Sequence, residues 1–541
     1  MAAWACMFLR GLFLFACLSN IIDHKSYTTN YTSHFRHRLS NITNHTSYII
    51  NRFSCFVLIC MMGLSCSALR PDYNPADKIA PDKLKDDAVL LRKILEADHP
   101  SLYWYTPKDS MDMYFDEAIN SLTDSLTELQ FRNKIARVVA KIRCGHTAVR
   151  FSKDYSHFFS IHKTPQFPLA LKAWGDSLVV IASSARNDTV FKRGTVVTSI
   201  NGLPNRVLLD SMFQFISTDG YSDNFKYQLV SIDFPMFYKL TFGLKDSNII
   251  TYKDSASIEK TAIVRNIRPF RDTSRGRSTV NVSFPKPTRK QIKAARKKNS
   301  QVLTFDSTNT AYMHLTTFSG SGFRKLFRRS FEEIQERKSP NLVIDLRENG
   351  GGNIGVSTNL TRYIIQHPFT TADTVEALHR NFAYGKYIRP ALIYKTIMLF
   401  SAKKKGDGRY HFGYLEHHIY KPKTNLHFSG NVYILQGGFT FSAASMFISH
   451  LKGQSNVTVV GEETGGGNYG NSSVHLPSII LPNSRIEVVM PLYRIVNDAT
   501  RVKNGRGIIP DVYVGPSLDA IKKGVDIKMK KVKEIIAAKN K

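Results

Sequence analysis

The feature that most constrains the fold of this chain is a strand-to-helix junction written twice. Asn341-Leu342-Val343-Ile344-Asp345 is an apolar run of buried-strand length, and it leads through Leu346-Arg347-Glu348-Asn349 into Gly350-Gly351-Gly352. A helical pattern follows from Val356 to Ile365. Further on, Val432-Tyr433-Ile434-Leu435 is a second apolar run, and Gly438-Phe439-Thr440-Phe441-Ser442 joins it to an apolar helix beginning Ala443-Ala444. Short apolar runs bounded by turn residues indicate buried strands. A further strand, Ala311 to Leu315, precedes a helix from Phe323 to Arg337. Strand–helix alternation of this kind predicts an α/β core.

The second junction places a serine where chemistry is available. A hydroxyl at the start of a helix lies at the positive end of the helix dipole, beside backbone N–H groups with no intrahelical partner. Those groups can hold a developing oxyanion. The same address also suits a serine N-cap, so Ser442 alone does not decide between capping and catalysis. The glycines of the first junction allow close backbone approach and aim successive N–H groups at one point.

Together the two junctions resemble the tail-specific, or C-terminal-processing, serine peptidase family, whose core carries D-L-R-x-N-x-G-G and then T-x-S-A before a helix. The family's later elements, G-E-x-T-x-G and G-x-G-x-x-P-D, correspond to Gly461-Glu462-Glu463-Thr464-Gly465-Gly466 and Gly505-Arg506-Gly507-Ile508-Ile509-Pro510-Asp511. The resemblance implies a ClpP/crotonase-like α/β core with Ser442 as nucleophile and no cofactor or metal. It departs from the Ser–Lys branch, because the slot of the lysine base holds Gly467. A serine needs a base within hydrogen-bond reach. Arg143-Cys144-Gly145-His146-Thr147 resembles the G-H-T element of the tricorn-like branch, in which a histidine takes that role. His146 is therefore the expected base, with a pKa suited to the work. The resemblance also implies an acid that orients the histidine. Asp498 is the candidate, with Glu487 and Glu462 as alternatives, and Asn497-Asp498 equally suits a turn. Ala443 and Gly351 are the expected oxyanion-hole donors.

At 541 residues and 43% hydrophobic content the protein can bury several cores. Its formal net charge of +31 raises nucleic-acid binding, but the basic residues are spread along the sequence. The one dense run, Lys286 to Lys298, lacks aromatic interleaving or zinc-finger spacing and suits a solvated linker. Five of the six cysteines lie in the first 66 residues, which excludes a disulfide framework in the body. Cys144 is expected to be a packed residue. The apolar run Phe53 to Leu64 has the length of a signal-peptide core and ends at Ser65-Cys66-Ser67, so Cys66 is a candidate lipid attachment site. Export to a bacterial cell envelope, facing the periplasm and lipid-anchored, is the corresponding expectation. A translation start downstream of residue 1 is expected with it, leaving residues 1–50 outside the working protein; the alternative is that the apolar run Ala2 to Leu18 is itself a signal or anchor.

These observations predict a multidomain α/β protein: a leader over 1–75, a helical N-terminal domain over 76–155, a β-rich middle domain over 156–270, a basic linker over 271–300, the peptidase core over 301–516 and a C-terminal helix over 517–541. Within the middle domain, Gly194-Thr195-Val196-Val197-Thr198-Ser199-Ile200-Asn201-Gly202 resembles the G-D-x-I-x-x-I-N-G stretch of PDZ domains. PDZ domains bind extended peptides at a sheet edge. Gly350 to Gly355 also satisfies G-x-G-x-x-G. Its separation from the strand by Arg347-Glu348-Asn349 lacks the tight turn of a dinucleotide site. Glu416-His417-His418 lacks the spacing of a metal motif. The expected function is serine endopeptidase cleavage of protein or peptide substrates, with sites near their carboxyl ends as one option. The alternative is an inactive peptide-binding protein on the same scaffold.

Overall fold

The computed structural model of the protein describes residues 69–70, 72–185, 188–267 and 302–539. The described residues from 72 to 539 belong to one compact unit. The basic linker and Cys66 lie outside the described residues, as does the apolar run before Cys66. Among the described residues no helix is long and apolar enough to cross a membrane.

The six-stranded central sheet has the order Leu303–Phe305, Ala311–His314, Asn341–Asp345, Asn431–Gln436, Val457–Gly461 and Val512–Tyr513. The first pair is antiparallel and the other pairings are parallel. Alternate residues point to opposite faces of a strand, and here both faces are covered. Leu342, Ile344, Val432 and Ile434 pack with Phe327, Phe331 and Phe447 from helices Phe323–Glu336 and Ala443–Leu451. Val343, Tyr433, Leu435 and Val460 face Val532 and Ile536 of the C-terminal helix Ile527–Lys539. This two-sided burial is why the strands read as unbroken apolar runs. The terminal region is two helices, Leu518–Lys523 and Ile527–Lys539, with Gly524 at φ +66 ending the first.

The middle segment closes a core of its own. Strands Leu169–Trp174, Ser177–Ser183, Val196–Ile200, Ser247–Lys253 and Glu259–Arg265 form its sheet in that order, with Leu203–Pro204 paired to Val196–Ile200. Helices Asn205–Phe213, Asn224–Ile232 and Phe234–Phe242 complete it. Phe167, Leu171, Val180, Leu208, Phe234 and Ile250 are among its buried residues.

The N-terminal helices Pro81–Asp98, Lys108–Asn120 and Glu128–Lys141 do not close a separate core. Leu84, Leu91 and Phe131 pack into one cluster with Val375, Ile479, Val488 and Tyr493 from the far end of the sequence. A reciprocal capping box between Thr127 and Gln130 starts the third helix. Strand Ala148–Arg150 follows it and pairs antiparallel with Glu487–Val489. The turn carrying His146 is thereby stitched to the later segment at both of its ends.

Candidate functional site

The two junctions lie at the carboxyl ends of adjacent parallel strands, Asn341–Asp345 and Asn431–Gln436. That end of an open α/β sheet is where ligands bind. Thr440 ties the surrounding loops together. Its hydroxyl donates to the Leu346 carbonyl at 2.8 Å and accepts the Gly437 N–H at 3.0 Å. Its carbonyl accepts the N–H groups of Gly465 and Gly466, each at 3.1 Å.

Ser442 occupies the residue before helix Ala443–Leu451 but does not cap it; its side chain makes no capping hydrogen bond. Its backbone is held at φ 51° and ψ −125°, a conformation non-glycine residues rarely adopt. The hydroxyl instead lies 3.1 Å from Nε2 of His146, across 296 residues of sequence. Gly351, at φ +95°, lets the first junction close on the second: a Cβ there would meet the Ser442 Cβ at 2.7 Å and the Ala443 nitrogen at 2.9 Å. A side chain is excluded at that position.

His146 leans on the Phe441 ring, with centroids 5.0 Å apart. Burial pulls its pKa down to about 4, keeping the imidazole neutral and able to accept a proton near neutral pH. Its turn is backed by His99, whose Nε2 lies 2.8 Å from the Thr147 hydroxyl while its Nδ1 accepts the Ser101 N–H at 3.1 Å. Nδ1 of His146 is buried and has no hydrogen-bond partner among the described residues.

The expected third acid is not brought to this ring. Asp498 accepts the Thr500 N–H at 3.0 Å and pairs with Arg501 at 3.0 Å. Arg501 in turn holds the Ser449 carbonyl at 2.7 Å and the Asn468 side chain at 2.7 Å. The hydrogen bonds from Thr500 and the charge of Arg501 keep the Asp498 carboxyl below its usual range. Asp498 is thus the turn residue its Asn-Asp setting also suggested. Glu462 is paired with Lys528, and Glu487 lies opposite Arg150 in the strand register; neither has a bond to His146.

The oxyanion donors divide in the same way. The Gly351 N–H is taken by Oδ1 of Asn349 at 2.9 Å, so it is not a free donor. Gly350, one residue earlier and exposed, has no N–H partner among the described residues, and neither does Ala443. The lysine slot is closed: a Cβ on Gly467 would lie 2.3 Å from the Gly470 carbonyl oxygen. Cys144 is a buried free thiol whose pKa burial pushes up to about 12, the behaviour of a packed residue.

One contributor leaves no mark that sequence reasoning could use: Asp219, 2% exposed, in the turn before helix Asn224–Ile232. Its carboxylate accepts the N–H of Gly145 at 2.9 Å and that of Gly467 at 3.4 Å, and burial pushes its pKa up to about 7. Thr218-Asp219-Gly220 carries only an ordinary turn signal.

As for metals, Glu376, Asp407 and His411 bring three donor atoms within 4.8 Å of one another. Glu376 is already paired with Arg494, and His411 is bridged between Asp407 and Glu416, so these groups neutralise one another internally.

Residues 309–514 match the sequence model of peptidase family S41. No curated protein matches the sequence at a significant level. Among solved structures, mature CPAF aligns at a TM-score of 0.58 and 12% identity, covering 84% of this protein and 97% of that one. Mature CPAF complexed with lactacystin aligns at 0.59 and 12%, covering 84% and 98%. At this identity the likeness establishes the fold. The photosystem II D1 C-terminal processing protease also aligns, at a TM-score of 0.36 and 15% identity, covering 83% and 98%.

Proposed function

Since the chain belongs to peptidase family S41, the tail-specific serine peptidases, and is a serine-type peptidase, we propose that Ser442 and His146 form its catalytic pair. The single observation that carries this is the 3.1 Å approach of the Ser442 hydroxyl to Nε2 of His146. The imidazole accepts the serine proton as Oγ attacks the peptide carbonyl, then returns it to the leaving amine. The N–H groups of Ala443 and Gly350 stabilise the tetrahedral oxyanion. Asp498 takes no part, and among the described residues no side chain orients His146 through Nδ1. The middle segment, with its PDZ-like sequence stretch, presents extended peptide to the site. Substrates are exported or envelope proteins cut near their C-termini, and Cys66 anchors the enzyme to the membrane; the leader sequence supports this location.

A fluorophosphonate probe tests the assignment. Wild-type protein is expected to label at Ser442, with labelling abolished in Ser442→Ala and reduced by orders of magnitude in His146→Ala while both variants remain folded. The depressed histidine pKa predicts that labelling persists on acidification until pH approaches about 4. An unlabelled wild type would instead leave a peptide-holding protein as the reading, and an acid limb at the ordinary histidine pKa would show that the imidazole is not desolvated as described.

A further inference from the structure

Among the described residues, Nδ1 of His146 lacks the side-chain partner that ordinarily fixes a catalytic imidazole. The ring must be held in register with Ser442 by other means, and the backbone around it shows how. Gly145 immediately precedes His146, and its N–H ends on Oδ1 of Asp219. The other carboxylate oxygen accepts the N–H of Gly467. Gly467 follows Gly466, which backs the nucleophile so closely that a Cβ on Gly466 would lie 3.0 Å from the Ser442 nitrogen. One carboxylate thus bridges the histidine turn to the loop behind the serine, one residue removed from each.

The rest of the Asp219 turn is fastened at the same places. The Gly220 N–H donates to the Arg143 carbonyl at 3.0 Å, on the histidine turn. The Tyr221 N–H donates to the Gly505 carbonyl at 2.7 Å, and Gly220 packs so tightly on Gly505 that a Cβ would meet its carbonyl oxygen at 2.4 Å. The Thr218 hydroxyl closes the turn on the Gly220 carbonyl at 2.9 Å. Such a turn is braced on both sides, and its carboxylate has no freedom to serve one loop without the other.

We infer that Asp219 is a positioning residue that sets the separation of His146 and Ser442 by clamping the Gly145 and Gly467 N–H groups. This rests on the serine–histidine reading above. The middle segment, which supplies Asp219, is then part of the hydrolytic centre as well as a neighbour to it. The carboxylate acts through the backbone and exchanges no proton with substrate.

The test compares Asp219→Ala and Asp219→Asn with Asp223→Asn, an exposed carboxylate on the same turn. Displacement of a reacting group by about 1 Å costs on the order of 10²-fold in rate. Asp219→Ala is expected to lower kcat, normalised to titratable Ser442, by that order with KM unchanged. Asp219→Asn keeps one acceptor and should fall between it and wild type, while Asp223→Asn should match wild type. A role confined to stability would lower the melting temperature and the active fraction but leave the normalised kcat intact, and that result overturns the inference. The histidine-ring NMR signal of His146, assigned through His146→Gln, supplies a readout independent of turnover. It should move in both Asp219 variants, and an unmoved signal also overturns the inference. An inert wild type with a moving His146 signal would sink the peptidase mechanism and leave the clamp standing.

Discussion

At the scale of single residues, the site is marked by strain and by an unmet polar atom. Ser442 is held where L-residues rarely go, a cost of about 1–3 kcal/mol that persists because Thr440, Gly351 and Gly466 enclose the turn. Glycine tolerates that backbone and alanine does not. Ser442→Gly is therefore expected to unfold at higher urea than Ser442→Ala, by about 1 kcal/mol after allowing for the looser unfolded state of a glycine variant; equal midpoints would show that the turn is relaxed. That Ser442 and His146 belong together was an expectation carried by their resemblance to family motifs, since on the residues alone a helix cap and a packed histidine serve as well; their 3.1 Å approach agrees with it. Asp498 was misplaced because a carboxylate before a turn looks alike whether it points inward or ties off its own loop. Asp219 left no local signature, since its meaning comes from two N–H groups contributed by other segments.

At the scale of elements, the central strands were readable for a physical reason. They are buried on both faces, so their composition is continuously apolar, and the helices between them carry apolar residues at helical spacing. The short strands Ile388–Arg389, Ser478–Ile480 and Glu487–Val489 offered too few residues to show any period, and with them went the sheet that joins the N-terminal strand to the core. The glycine loop 465–467 shows how an element can preclude a chemistry. Its backbone runs against Gly470 and Thr440, leaving no room for a side chain at the lysine position of the Ser–Lys branch. Placing Gly467→Lys in a His146→Ala background is expected to restore no turnover and to lower stability. Recovered hydrolysis in that double variant would mean the loop can move aside.

At the scale of the whole molecule, the predicted division into a helical domain and a peptidase core gives way to a shared interior. Leu84, Leu91 and Phe131 bury against Ile479, Val488 and Tyr493, so neither segment has its full apolar core without the other. Each fully buried apolar residue of this size contributes about 1.5–3 kcal/mol, and a domain is stable by only about 5–15 kcal/mol. Residues 302–539 expressed alone are accordingly expected to lack a cooperative unfolding transition and to be digested by trypsin at concentrations the intact protein resists. A sharp thermal transition in that fragment would contradict the shared core. The sequence does not disclose this, because burial between distant segments leaves the same apolar pattern as burial within one.

The 296-residue gap between imidazole and hydroxyl carries a consequence for the life of the protein in the cell. If the imidazole and hydroxyl are the catalytic pair proposed above, a polypeptide still emerging from the ribosome holds the first without the second, and a finished one has no pair until both segments have docked. Cleavage competence would then be a certificate of completed assembly.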